Sequence, residues 1–246
     1  MRLLIILLTI FLLTSCCCNY DEKDFDFTAT HNKLLHPYTK GDTLSNNLMI
    51  ENYKRFIKEK AGLAAEEIET LTASLQSKTF HKGDFLLHAG EVCAYAFFVE
   101  KGLLRSFTTD ETGKEHIIQF GPENWFVTDR SSAYFHEASD FSIEAIEETT
   151  VVLIDAAFIS RAASVYPSFM LSNEKALQNH IRQLQKRINL LLSATAEKRY
   201  LDFIRLYPDL TLRVPQWMIA SYLGITPESL SRVRKELAKN NFKPHS

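Results

Sequence analysis

The chain has 246 residues, 46% of them hydrophobic and 11% aromatic, and a formal net charge of −2. That is enough apolar material for one large core or two small ones, and too little net charge for a chain that binds nucleic acid over its whole surface. The average conceals an asymmetry: residues 49–150 hold 10 Lys and Arg against 18 Asp and Glu, whereas residues 194–246 hold 9 against 5, an acidic middle joined to a basic end.

Met1-Arg2 followed by the apolar run Leu3–Leu13 has the form of a secretory signal and is short for a membrane span. It ends in Leu13-Thr14-Ser15-Cys16, which is similar to a bacterial lipoprotein cleavage box with Cys16 as the residue to be lipidated. Residues 19–48 are polar and aperiodic, so residues 1–48 read as a signal-like segment and linker. If that end is genuine, the protein is an exported, membrane-anchored lipoprotein. The favoured expectation is a functional start at Met49 and a cytoplasmic protein. The consecutive Cys16, Cys17 and Cys18 lack the spacing of iron–sulfur ligands, and Cys93 is expected to be a small buried hydrophobe.

From Met49 to about Ser77, Phe56, Ile57, Leu63, Ile68, Leu71 and Leu75 recur at helical spacing. The pattern changes at Thr79. Short apolar runs at Phe85–Leu87, Tyr95–Val99, Leu103–Phe107, Ile117–Phe120, Trp125–Val127 and Phe141–Ile154 are punctuated by Gly83, Gly90, Gly102, Gly113 and Pro122, which predicts an antiparallel sandwich or β-roll. Asp110–Lys114 has the composition of a hairpin tip, and Asp155 caps a helix reaching about Val165.

Pro167 opens a long helix in which Leu177, Ile181, Leu184, Ile188 and Leu191 follow steps of four and three. So narrow a stripe predicts a seam between two copies of the chain, because a helix packed on its own sheet needs a broader apolar face. Ala196, Tyr200, Phe203, Ile204 and Tyr207 mark a further helix that ends at Pro208.

The stretch Gln216–Leu237 predicts two short helices, one burying Ile219, Ala220 and Leu223, the other Leu230, Val233 and Leu237. Between them Gly224 suits a left-handed C-cap, Thr226 an N-cap and Pro227 the first helical position. The second helix then presents Glu228, Ser231, Arg232 and Lys235 on its free face, side chains of the kind that reach base edges and phosphates. Gln216, Thr226, Pro227 and Ser229 complete the candidate DNA-binding set.

These elements resemble the Crp/Fnr family of bacterial transcription regulators over residues 49–242. The most specific residues are Ile219-Ala220, Leu223 to Arg232, Lys82-Gly83-Asp84 and Glu100-Lys101-Gly102. The resemblance implies an α+β chain with a cyclic-nucleotide-binding-like antiparallel β-roll (49–165), a dimerisation helix (166–193) and an all-α helix-turn-helix domain (194–246). It implies double-stranded DNA and a second copy as partners, with RNA polymerase as a further candidate. In the family the residues at Glu228 and Arg232 read bases. The arginine often preceding the glutamate is Pro227 here, and the expected wing is truncated at residues 241–246. For a small-molecule effector of unknown identity the corresponding region is Val127, Thr128, Asp129, Arg130, Ser139 and Asp140. It lacks the family's glycine and places Asp140 where a phosphate would need a cation, so weak or no binding of cyclic AMP is expected. No catalytic residue, metal ligand or cofactor is assigned: His81, His88, His116 and His136 have no metal-motif spacing, and Ser131-Ser132 lies in no nucleophile elbow. The competing expectations are the exported lipoprotein and a cupin-like metal-binding β-barrel.

Overall fold

Two four-stranded antiparallel sheets face each other, with orders β1-β8-β3-β6 and β2-β7-β4-β5. The strands, in the computed structural model that describes residues 50–241, are β1 (Gln76–Phe80), β2 (Phe85–Leu87), β3 (Ala96–Lys101), β4 (Leu104–Thr109), β5 (Glu115–Gly121), β6 (Phe126–Val127), β7 (Ser142–Ala145) and β8 (Thr149–Ile154). Alternation along β3 shows why the sheet is covered on both faces: Phe97 and Val99 fill the space between the sheets, and Phe98 points the other way, into a helical layer. That layer consists of α1 (Glu51–Ala61), α2 (Ala65–Thr72) and α4 (Ala156–Val165).

The single helical stretch expected from Met49 to Ser77 is divided. Gly62, at φ 67°, ends α1, and β1 takes over at Gln76 to pair with β8. The run Phe141–Ile154, read as one segment, is two strands, β7 and β8, which lie in different sheets. A short helix α3 (Arg130–Phe135) follows β6, and α7 (Leu210–Arg213) precedes the helix-turn-helix; neither has enough turns to show a period in sequence. Gly102 turns β3 into β4 at φ 95°, where an added Cβ would lie 2.5 Å from the Glu148 carbonyl oxygen, so no larger residue fits.

The remaining elements are α5 (Pro167–Ser193), α6 (Ala196–Leu206), α8 (Gln216–Leu223) and α9 (Pro227–Asn241). α5 keeps only Phe169 buried, while Leu177, Ile181, Leu184, Ile188 and Leu191 are 37–56% exposed in the single chain. The head formed by α6–α9 shares a hydrophobic cluster with the roll: Ile117 and Phe120 of β5 pack with Phe203, Tyr207, Met218 and Ile219. Cys93 is 1% exposed, as expected of a small hydrophobe. Among the described residues no helix is long and apolar enough to cross a membrane. Residues 1–48 with the Cys16 lipidation motif, the Met49 start and the truncated wing beyond α9 lie outside the described residues.

Candidate nucleic-acid interface

The helix-turn-helix is built by local turn chemistry. Gly224 ends α8 at φ 65°, and its amide donates to the carbonyls of Ala220 and Ser221. The Thr226 hydroxyl accepts the Ser229 amide at 3.2 Å, and Pro227 opens α9. Ile219, Ala220 and Leu223 of α8 pack with Leu230 and Val233 of α9, Leu237 completing the contact at the rim. This fixes the rotation of α9 about its axis, so Glu228, Ser231, Arg232 and Lys235 all face solvent. Its own backbone amide and the Thr226 hydroxyl hold the Glu228 carboxyl below its ordinary value. Gln216, Thr226 and Pro227 are exposed; the Ser229 hydroxyl is half-buried and accepts from Thr226 at 3.2 Å.

The head is fastened to the roll at several points that the sequence reading does not pick out. Ser221 of α8 accepts the Ile117 amide at 3.0 Å and donates to the Glu115 carbonyl at 3.1 Å, occupying the outer edge of β5. Arg187 of α5 donates to the carbonyls of Ile117, Ile118 and Tyr222, and Arg199 of α6 donates to the Leu223 carbonyl at 2.8 Å. Both arginines thus cap the C-terminal end of α8, where carbonyls lack helical partners. Arg213 forks onto Glu123 with two 3.0 Å bonds and also pairs with Glu147 and Asp209. Trp217, half in solvent, has the Arg105 guanidinium 5.6 Å from its ring centroid; Arg105 in turn pairs with Glu115 and Glu144 on the strands beside it. The hydrogen bonds between head and roll join residues 66 to 106 positions apart in sequence, and no local pattern announces them.

The effector region departs from the sequence expectation. Thr128, Asp129 and Arg130 border a groove of about 410 Å³ with α5 and the head. Val127 is instead packed between the sheets, Ser139 is buried, and Asp140 is exposed. The buried carboxyl group here is that of Asp129: it accepts the Ser132 amide at 3.2 Å and the Ser139 hydroxyl at 2.7 Å. Assigning the unfavourable charge to Asp140 is therefore corrected. A carboxylate of the protein already occupies the amide end of α3 where a cyclic-nucleotide phosphate would need donors, so these residues do not fit that ligand. Arg130 lies on the groove wall with His180, whose pKa burial and then the Arg130 charge push below its ordinary value. Among the described residues no three His, Cys, Asp or Glu side chains gather as metal ligands, so the cupin-like reading has no donor set.

Residues 77–165 match the family described as cyclic nucleotide-binding domain. The transcriptional activator protein Anr of Pseudomonas aeruginosa is 25% identical over 192 residues, which span 73% of this chain and 78% of that protein. The electron transport regulator A of Shewanella oneidensis is 24% identical over 73% of this chain and 76% of its own length. FixK2 from Bradyrhizobium japonicum has the same fold, with a TM-score of 0.59 at 22% identity over 70% of this chain and 88% of that one.

Proposed function

Because the chain belongs to the Crp/Fnr family of transcription regulators, we propose that it acts as a homodimer reading a two-fold DNA operator through α9. The observation that carries this reading is the division of α9 into a buried side, Leu230 and Val233, and a solvent side bearing Glu228, Ser231, Arg232 and Lys235. Arg232 forks onto a base edge, Glu228 accepts from a base amino group, and Lys235 with the amide end of α8 at Gln216 meets phosphates. The dimer forms through the seam Leu177, Ile181, Leu184, Ile188 and Leu191, which stays 37–56% exposed among the described residues and which sets the separation of the two heads. The domains divide at residues 49–165, 166–193 and 194–246, in a protein that works in the cytoplasm where its DNA lies. It uses no enzymatic chemistry, and RNA polymerase is the further partner expected of such a regulator.

Selection of binding sites from random duplex DNA tests the reading. Recovery of an inverted repeat with half-sites about 10 base pairs apart is expected; recovery of no common sequence, with binding equal on all duplexes, would refute it.

A further inference from the structure

One guanidinium touches all three parts of the molecule. Arg187 projects from α5, one position before the seam residue Ile188, and donates to Ile117 of the roll at 3.0 Å and to Tyr222 of the head at 3.2 Å. It donates as well to the Ile118 carbonyl, and its guanidinium carbon stands 4.0 Å from the Tyr222 ring centroid. The strand is shaped for this. In the pairing of β4 with β5, Ser106 faces Gln119 and Phe107 faces Ile117, so Ile118 is the extra residue of a β-bulge. A bulge re-aims the backbone, and here it offers two successive carbonyls on the open edge of the sheet to one planar fork. Among the described residues Arg187 has no carboxylate partner: what holds it is backbone from two different parts of the fold, with an aromatic face beneath.

We propose that Arg187 is a positioning residue that couples the head to the roll and to the dimer helix, and so fixes the angle at which each reading helix is presented. Without it the head keeps its own fold, since the α8–α9 core does not include Arg187, but its orientation on the roll loosens. Lysine cannot replace it, because an ammonium group is a point donor that cannot fork across carbonyls from β5 and α8. The proposal rests on the two-fold operator reading, and the experiment separates the two.

The full-length chain and its Arg187→Lys and Arg187→Met variants are titrated with labelled duplexes bearing one selected half-site, two at the selected spacing, or two with one base pair inserted. The insertion moves the far half-site by about 3.4 Å along the axis and about a tenth of a turn around it. The unaltered chain is expected to lose about tenfold or more in affinity on insertion, and both variants less than about threefold, with single half-site affinity unchanged within about twofold. Retention of the full spacing penalty by the variants overturns the proposal, and so does an equal loss on half-site and full site, which marks a merely structural defect. Absence of any selected sequence with the unaltered chain condemns the operator reading instead. The coupling is then read without DNA: Trp125 and Trp217 are the two tryptophans, so a Trp125→Phe background leaves Trp217, on the head and beside Arg105 of the roll, as the reporter. Acrylamide quenching of Trp217 is expected to rise when Arg187 becomes Lys or Met, and unchanged quenching overturns the proposal. Should Arg187→Met fail to fold, as judged by circular dichroism, Arg187→Lys carries both measurements.

Discussion

The hydroxyl of Ser221 takes the place of a neighbouring strand for Ile117, accepting its amide at 3.0 Å on the edge of β5 that no strand covers among the described residues. The same hydroxyl donates to the Glu115 carbonyl at 3.1 Å, so one small side chain on the first helix of the helix-turn-helix completes two backbone groups of the roll. Ser221→Ala leaves the Ile117 amide without that acceptor, and a buried donor deprived of its partner costs about 1–3 kcal/mol. The thermal unfolding midpoint is expected to fall accordingly, by several degrees in a differential scanning measurement; an unchanged midpoint would show that water replaces the hydroxyl at no cost.

The solvent side of α9 carries the second expectation. Arg232→Ala should weaken binding to the selected operator by about 1–3 kcal/mol and relax preference at one base position, while Lys235→Ala should weaken all sequences alike and reduce the salt slope by about 1. Leu230→Ala serves as the contrast: it removes a fully buried side chain and destabilises the head by about 2–5 kcal/mol. Fluorescence anisotropy over a range of salt concentrations separates the three.

Sedimentation equilibrium checks the seam. The mass of the chain is 28.2 kDa, and the intact protein should sediment at twice that value. Ile181→Asp combined with Leu184→Asp should shift it to the single-chain mass without loss of secondary structure, since both positions are partly exposed in the isolated chain and burying unpaired carboxylates between two helices is unfavourable. A double variant that remains dimeric places the contact elsewhere.

Cyclic AMP should produce no saturable heat in a calorimetric titration, because Asp129 occupies the donors that a phosphate requires. Micromolar affinity would defeat this reading. Asp129→Ala tests the structural role of the carboxylate, with an expected loss of about 0.5–2 kcal/mol from the cap of α3.

His180 adds a pH dependence. Burial first, and the Arg130 charge second, lower its pKa in the folded state below the ordinary value of 6.5. Between the lowered folded value and the unfolded value the unfolded chain binds more protons, so stability is full above the unfolded pKa and declines as pH falls through this window. Urea midpoints measured from pH 7.5 to 5.5 should decline, and His180→Gln should flatten the decline; an unchanged slope would assign it to other groups.

The contrast between α8–α9 and Arg187 shows how far local chemistry reaches. Gly224, Thr226, Pro227 and the two apolar stripes act within a few residues of one another, so their outcome was legible, as were Asp155 capping α4 and Pro167 opening α5. β1 was hidden because Gln76–Phe80 is mostly polar, and its partner β8 lies some seventy positions away. The separation of β7 from β8 was hidden because they are adjacent in the chain with only three residues between them; only the sheet order assigns them to different layers.

What the residues determined by themselves was therefore the set of elements with a period or a cap, and with it the exposed face of the reading helix. What only the tertiary structure decided was where that helix is aimed: the free edge of β5, the bulge at Ile118 and the meeting of Arg187 with carbonyls from two parts of the fold. Helix periodicity and capping are set by interactions over three or four residues, whereas an edge strand acquires its identity only when every other strand has found its neighbour.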